Sequence, residues 1–109
     1  MRTLSFIVTG QIIKRDPTCD FSGLAPGSEK YLQASFSFSP EWDDFVKVAA
    51  FHSIMGREYE PQIVKDGSTC VIPAEALKKK SFKVQVIGRK GASKLTTNKV
   101  IVKQDGGES

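Results

Sequence analysis

The chain has 109 residues, 39% hydrophobic and 26% charged, which fits one globular domain. No apolar run approaches the roughly 20 residues of a membrane-spanning helix, so an α-helical membrane protein is excluded. The net charge of +4 is unevenly spread: residues 1–64 hold 6 Lys+Arg and 8 Asp+Glu, and residues 65–109 hold 10 and 4.

Such asymmetry points to an anionic partner or to the solvated faces of late strands. A domain of this size buries roughly two thirds of its unfolded surface and needs no metal or disulfide staple. The N-terminus lacks the unbroken apolar stretch of a signal peptide and reads as a strand. Cys19 and Cys70 are the two cysteines. With no secretory signal they are expected to be free thiols, Cys19 in a polar loop and Cys70 as a small hydrophobe in TCVI.

In chain order, TLSFIVT (3–9) alternates Leu4, Phe6 and Val8 against Thr3, Ser5 and Ile7, the pattern of a half-buried strand. QIIKR (11–15) is a second strand. DPTCDFSGLAPG (16–27) is a long connection. YLQASFSF (31–38) alternates Leu32, Ala34, Phe36 and Phe38 against Tyr31, Gln33, Ser35 and Ser37, and SPEWDD (39–44) ends it in a corner. Strands follow at 46–53 and 57–64, separated by a hairpin turn at Gly56. Pro61 marks the second of these as an edge strand, because proline cannot donate to a ladder. Asp66-Gly67 in KDGS (65–68) is a hairpin signal leading to a strand at 69–72. PAEALKKK (73–80) favours one short helical turn. Strands at 81–88 and 94–103 flank a basic, glycine-bounded loop, GRKGAS.

A strand and a turn every 8–12 residues or so, without intervening long helices, predicts an all-β fold. The expectation is an Ig-like antiparallel β-sandwich of seven or eight strands, with a helical turn near 73–79. It forms one domain over 1–103, followed by a flexible tail or linker at 104–109.

The sequence offers little for catalysis. His52 is the single histidine, and no nucleophile motif accompanies it. The cysteines and histidine lack metal-ligand spacing, and Glu41, Asp43 and Asp44 lack the loop pattern of a calcium site. No catalytic, cofactor-binding or metal-binding residues are assigned. The candidate binding surface is Lys78, Lys79, Lys80, Arg89, Lys90 and Tyr59. An oligonucleotide-binding barrel would pair such basic loops with exposed aromatics, but Phe36, Phe38 and Phe82 share the parity of the core. Nucleic-acid binding is therefore the weakest reading. A sugar-binding module would stack rings on Tyr31, Tyr59 or Trp42. Sandwich edges also suit assembly by strand addition.

Three segments, ASFSFSPEWDDFVKVAAF (34–51), CVIPAEALKKKSFKVQVIGRKG (70–91) and LTTNKVIVKQ (95–104), occur in an order that resembles the N-terminal β-sandwich module of tailed-phage and prophage structural proteins of Gram-positive bacteria. The resemblance covers about residues 31–104. It implies a non-enzymatic virion component, made in the host cytoplasm, that docks as a capsid decoration or head-fibre base. Tail or baseplate attachment and host-glycan recognition are the alternatives. The implied partners are capsid or tail proteins, further copies of the chain or a surface glycan, without membrane insertion. Phe36, Phe38, Trp42, Pro73 and Leu77 form the implied structural signature. Such modules usually carry a longer fibre or receptor-binding region, and the sequence given ends at Ser109.

Overall fold

A computed structural model describes residues 1–65 and 68–105. The Asp66-Gly67 turn and residues 106–109 of the expected tail lie outside that range. Two sheets face each other across an apolar core. The first contains β1 (Arg2–Thr9), β2 (Ile12–Arg15), β3 (Leu32–Phe38) and β6 (Thr69–Val71), in the order β2-β1-β3-β6. The second contains β4 (Val46–Ser53), β5 (Gln62–Ile63), β7 (Ser81–Lys90), β8 (Ser93–Thr96) and β9 (Val100–Lys103). Its order is β5-β4-β7, with β8 and β9 sharing the far side of β7.

The all-β sandwich is as expected. The alternating positions do what their period requires: Leu4, Phe6, Val8, Ala34, Phe36, Phe82, Val84 and Val86 all point into the core. Four details differ from the expectation. Nine strands form among the described residues. A second 3₁₀ turn forms at Pro40–Trp42, beside the one at Ala76–Lys78. One pairing is not antiparallel: β3 lies parallel to β1, with Phe6 opposite Phe36. Finally, the tail does not begin at residue 104.

The parallel pairing follows from the path of residues 16–31. This segment passes the end of β2, crosses the open end of the sandwich and re-enters beside the start of β1, where the Arg2 N–H donates to the Tyr31 carbonyl. The segment is built to hold that path. Asp16 accepts from the N–H and hydroxyl of Thr18, and Asp20 does the same for Ser22. The Arg2 guanidinium donates to the carbonyls of Asp20, Ser22 and Gly23. Leu24 anchors the segment in the core.

Two strands read as continuous are each interrupted by one extra residue. In 57–64, Tyr59 bonds opposite Phe51, and Gln62 pairs with Ala49, so Glu60 and Pro61 face Ala50 alone. A bulge on an edge accommodates proline. In 94–103, Thr96 pairs with Ile87 and Val100 with Val84, leaving three residues opposite two. Thr97 stabilises this second bulge. Its hydroxyl accepts from the Val86 N–H at 3.0 Å, and its backbone carbonyl accepts from Gln85 Nε2 at 2.7 Å. Next to it, Asn98 donates to the Ile13 carbonyl and accepts from the Ile13 N–H, which closes the exposed edge of β2. At the other end of the basic loop, Arg89 and Lys90 belong to β7, and the turn is only Gly91 and Ala92. Gln104 is buried and donates to the Leu77 and Lys79 carbonyls, while the Asp105 N–H donates to Leu24. The chain is therefore anchored through residue 105 rather than loose from 104.

The two cysteines are free. Cys70 pairs with Ala34 and is buried, and desolvation pushes its thiol up to about 12.

The chain changes sheets at residues 39–45, and Trp42 is fully buried there. Its indole N–H donates to the Gly10 carbonyl at 2.8 Å, and Ser39 Oγ accepts from the Gly10 N–H at 3.0 Å. Gly10 has φ +57 in the two-residue β1–β2 turn, a conformation that suits glycine. On its other side the indole lies against Gly88 of β7, where an added Cβ would sit 2.7 Å from Cζ3. Gly88→Ala is therefore expected to lose about 1–3 kcal/mol by overpacking. Urea unfolding should show a lower midpoint than that of the wild-type protein.

Candidate docking face

Strand register determines which side chains share the solvent face of the β4–β7 sheet. Phe51, Phe82, Val84 and Val86 point inward, so the positions between them point out. One outward row runs across the whole sheet: Ile63, Val48, Ile87 and Thr96, each opposite the next. Val46 and Ile101 lie on the same face. Val46 is 64% and Ile63 is 62% exposed, and Ile101 is also exposed. Lys83, Arg89, Lys94 and Lys103 stand on this face by the same register, around the apolar row. Glu58, opposite His52, is the acidic residue at its margin.

The other sheet presents different chemistry. Its outward positions include Thr3, Ser5, Gln33, Ser35, Ser37 and Thr69, with Gln33 Nε2 donating to Thr3 Oγ1 at 2.8 Å. Hydroxyl and amide groups of this kind are well solvated. The first sheet thus mixes these polar groups with Ile7 and with exposed Ile12 and Val71 at its edges, whereas the second has a more continuous aliphatic row with a cationic rim.

His52 lies at the margin of the aliphatic face, 7% exposed, with no hydrogen-bond partner for Nε2 among the described residues. Burial lowers its pKa most. Lys99 and Lys83 add to the lowering, while Glu58 and a hydrogen bond to Gln85 oppose it. Around the corner, Glu41 is held below the ordinary carboxylate value by hydrogen bonds from the Ser39 hydroxyl and from its own backbone N–H.

The structure separates the sequence-predicted surface residues. Lys78 and Lys80 are exposed and Lys79 is half-buried beside the start of β7, while Arg89 and Lys90 are exposed at its end. At about 3.3 Å per residue, these groups are about 30 Å apart. Lys90 Nζ lies 4.0 Å from Asp44 Oδ2, and both side chains are well solvated. Tyr59 is not a surface residue. It is 5% exposed, in the core, because it lies opposite the inward-facing Phe51. Among the signature residues, Phe36, Trp42 and Leu77 are buried, Phe38 packs against the core and Pro73 is half-buried.

The aliphatic face, with Val46, Ile63 and Ile101 exposed and Val48 and Ile87 half-buried, was missed by sequence reasoning, as were Lys83, Lys94 and Lys103 as its rim. The signal was present: odd positions of 81–90 and even positions of 46–53 point outward, and several carry β-branched residues. Among the described residues, no cluster of three His, Cys, Asp or Glu side chains is placed to hold a metal ion. Tyr31 is the only exposed aromatic residue among them. No helix among them is long and apolar enough to cross a membrane. No family model, curated protein or solved structure matches the chain.

The lowered pKa of His52 gives stability a pH dependence of definite sign. The unfolded chain takes up the proton more readily than the folded one. Stability is therefore complete above the ordinary histidine value of 6.5 and falls as the pH drops through it. Asp16, Asp20 and Glu41, all lowered, act only in the more acidic carboxylate range. Guanidinium unfolding between about pH 7.5 and pH 5.5 should show declining stability, and His52→Gln should flatten that decline.

Proposed function

We propose that this chain is a non-enzymatic structural module of a phage or prophage particle, docking on a virion protein as a capsid decoration or head-fibre base. The observation that carries the reading is the outward row Ile63–Val48–Ile87–Thr96 with its rim of Lys83, Arg89, Lys94 and Lys103. An exposed apolar patch bordered by polar groups is the ordinary signature of a protein contact surface. The apolar row supplies the desolvated centre. The cationic rim selects a partner surface rimmed by carboxylates and speeds encounter with it. The order of motifs over residues 31–104 supports the virion as the setting.

Head attachment is preferred to tail or baseplate attachment on that resemblance alone. The sugar-stacking reading is weaker, since Trp42 and Tyr59 are buried and only Tyr31 of its three aromatics is exposed.

The test is co-sedimentation with purified particles of the phage or prophage encoding the chain. The wild-type protein should pellet with them, less strongly as salt is raised. Val48→Lys/Ile87→Lys should reduce pelleting by about tenfold or more, while Lys78→Glu/Lys80→Glu changes it little. Circular dichroism would verify that both variants fold. A protein that never pellets, or pelleting unchanged in the Val48→Lys/Ile87→Lys variant, would overturn the assignment.

A further inference from the structure

The two sheets end together on one side of the sandwich, where β5 and β6 are the outermost strands. The chain passes from one to the other there, and Lys65 pairs with Thr69 across the passage. Beyond that pair the edges diverge and enclose an open cleft of about 380 Å³, with residues 61–63 on one wall and β6 on the other. Lys65 lines its closed end, and Glu60, which precedes β5, lies toward the open one.

The hydrogen-bond phase of each ladder decides which backbone groups face this cleft. The Ile72 N–H donates to the Leu32 carbonyl at 3.1 Å, and the Phe36 N–H donates to the Ser68 carbonyl at 2.9 Å. These bonds flank the Gln33–Val71 and Ser35–Thr69 pairs. Each is therefore a non-hydrogen-bonded pair, whose own N–H and C=O point away from the partner strand. The same holds for Ile63 opposite Val48, because the Val64 N–H donates to the Lys47 carbonyl at 2.9 Å. Val71 and Ile63 thus each turn one N–H and one C=O toward the cleft, and no loop or side-chain hydrogen bond among the described residues reaches them. Thr69 differs: its carbonyl accepts from the Lys65 N–H at 3.0 Å, which closes that end. Pro61 and Pro73 have no N–H, so the available ladder is short on both walls.

We infer that the cleft takes a short extended segment of a partner protein as an added strand. A peptide backbone offers alternating donors and acceptors at the spacing these edges present. Packed sheets lie about 10 Å apart and neighbouring strands about 4.8 Å, so a strand between the two edges is within bonding reach of both. Antiparallel to β6, its central residue exchanges two bonds with Val71. The C=O of the residue before and the N–H of the residue after then meet Ile63, in the pattern of a parallel pair. In this direction the segment runs from Glu60 toward Lys65, which selects a basic residue at its start and an acidic one at its end. Ile63 is also the outer member of the aliphatic row, so cleft and docking face form one continuous surface. The docking reading supplies the setting on which this rests. The cleft adds the form of the partner's contact, an extended strand beside a flat aliphatic face.

The test is an NMR titration observing the Val71 and Ile63 backbone amides, with N-acetyl-Lys-Val-Thr-Val-Glu amide as the probe. Both amides should show saturable downfield shifts and slower exchange with solvent, while that of Ile87 stays unchanged. The same peptide N-methylated at its central residue, or at the next, should bind about tenfold or more weakly. The charge-reversed N-acetyl-Glu-Val-Thr-Val-Lys amide should bind about threefold or more weakly. Val71→Pro removes the outward donor without removing a bond between β6 and β3, and should weaken binding about tenfold. The N-methylated peptides make the same test on the unaltered protein. Val48→Lys/Ile87→Lys should leave peptide binding unchanged. Co-sedimentation tests the aliphatic face with particles and this titration tests the cleft without them, so either reading can fail alone. No saturable shift at Val71 and Ile63, or binding undiminished by N-methylation or by charge reversal, would overturn the inference.

Discussion

The sandwich depends on the seat of one indole. Trp42 stands where the chain leaves the first sheet for the second, and it touches both. Its N–H is bonded to Gly10 at the tip of the β1–β2 hairpin, and its ring face rests on Gly88 in the middle strand of the other sheet. A glycine is needed at position 88 because only an absent side chain lets the ring approach that close. The ring also belongs to a run of aromatic contacts, Phe21–Phe6–Phe36–Phe38–Trp42–Phe45, with successive centroids 5.4–6.2 Å apart. Edge and tilted ring pairs of this kind add to simple area burial. The run extends from the long connection at one end of the first sheet to the corner at the other.

With the sheets fixed in this way, the remaining chemistry is pushed outward and sorted. The first sheet carries hydroxyl and amide side chains on its outer face. The second carries aliphatic side chains ringed by lysine and arginine. The excess of positive charge in residues 65–109 is largely the rim of this face together with the Lys78–Lys80 segment. Bulges on both flanks of the β4–β7 pair bend the sheet around one row, Ala50 and Gln85. The edges are unequal. Asn98 satisfies the backbone of Ile13 on β2, while β5 and β6 are short, and Pro61 sits just before β5. Short edges and bulges restrain uncontrolled strand addition, which leaves the sheet face as the more distinctive surface.

Much of the fold was legible because its strands are half-buried, and period-two alternation is strong in such strands. The alternation of Leu32, Ala34, Phe36 and Phe38 located both a strand and the core, and Pro40 gave its end. What could not be read depends on partners distant in sequence. The parallel pairing of β1 and β3 is set by where the 16–31 segment travels, which rests on Arg2 reaching three carbonyls. The bulges at Pro61 and Thr97 depend on side-chain and backbone groups across the ladder, and a bulge silently reverses parity. The bulge at Glu60-Pro61 leaves Tyr59 in the core and turns Ile63 outward, two positions that an unbroken strand would put on one side. The candidate surface was least legible, because lysines close in sequence distance from a strand were read together although the strand's length holds them apart. The aliphatic face escaped notice because Val and Ile in strands look like core until register assigns them a side.

Trp42 is the single tryptophan, so its fluorescence reports on this seat alone. The decisive measurement is the emission of the native protein with and without iodide or acrylamide. A blue-shifted maximum that quenchers barely reach, moving to a red-shifted and readily quenched one on unfolding, is the result the account predicts. A red-shifted, freely quenched emission from the folded protein would contradict it, because the indole would then not be the wedge on which the two sheets are set.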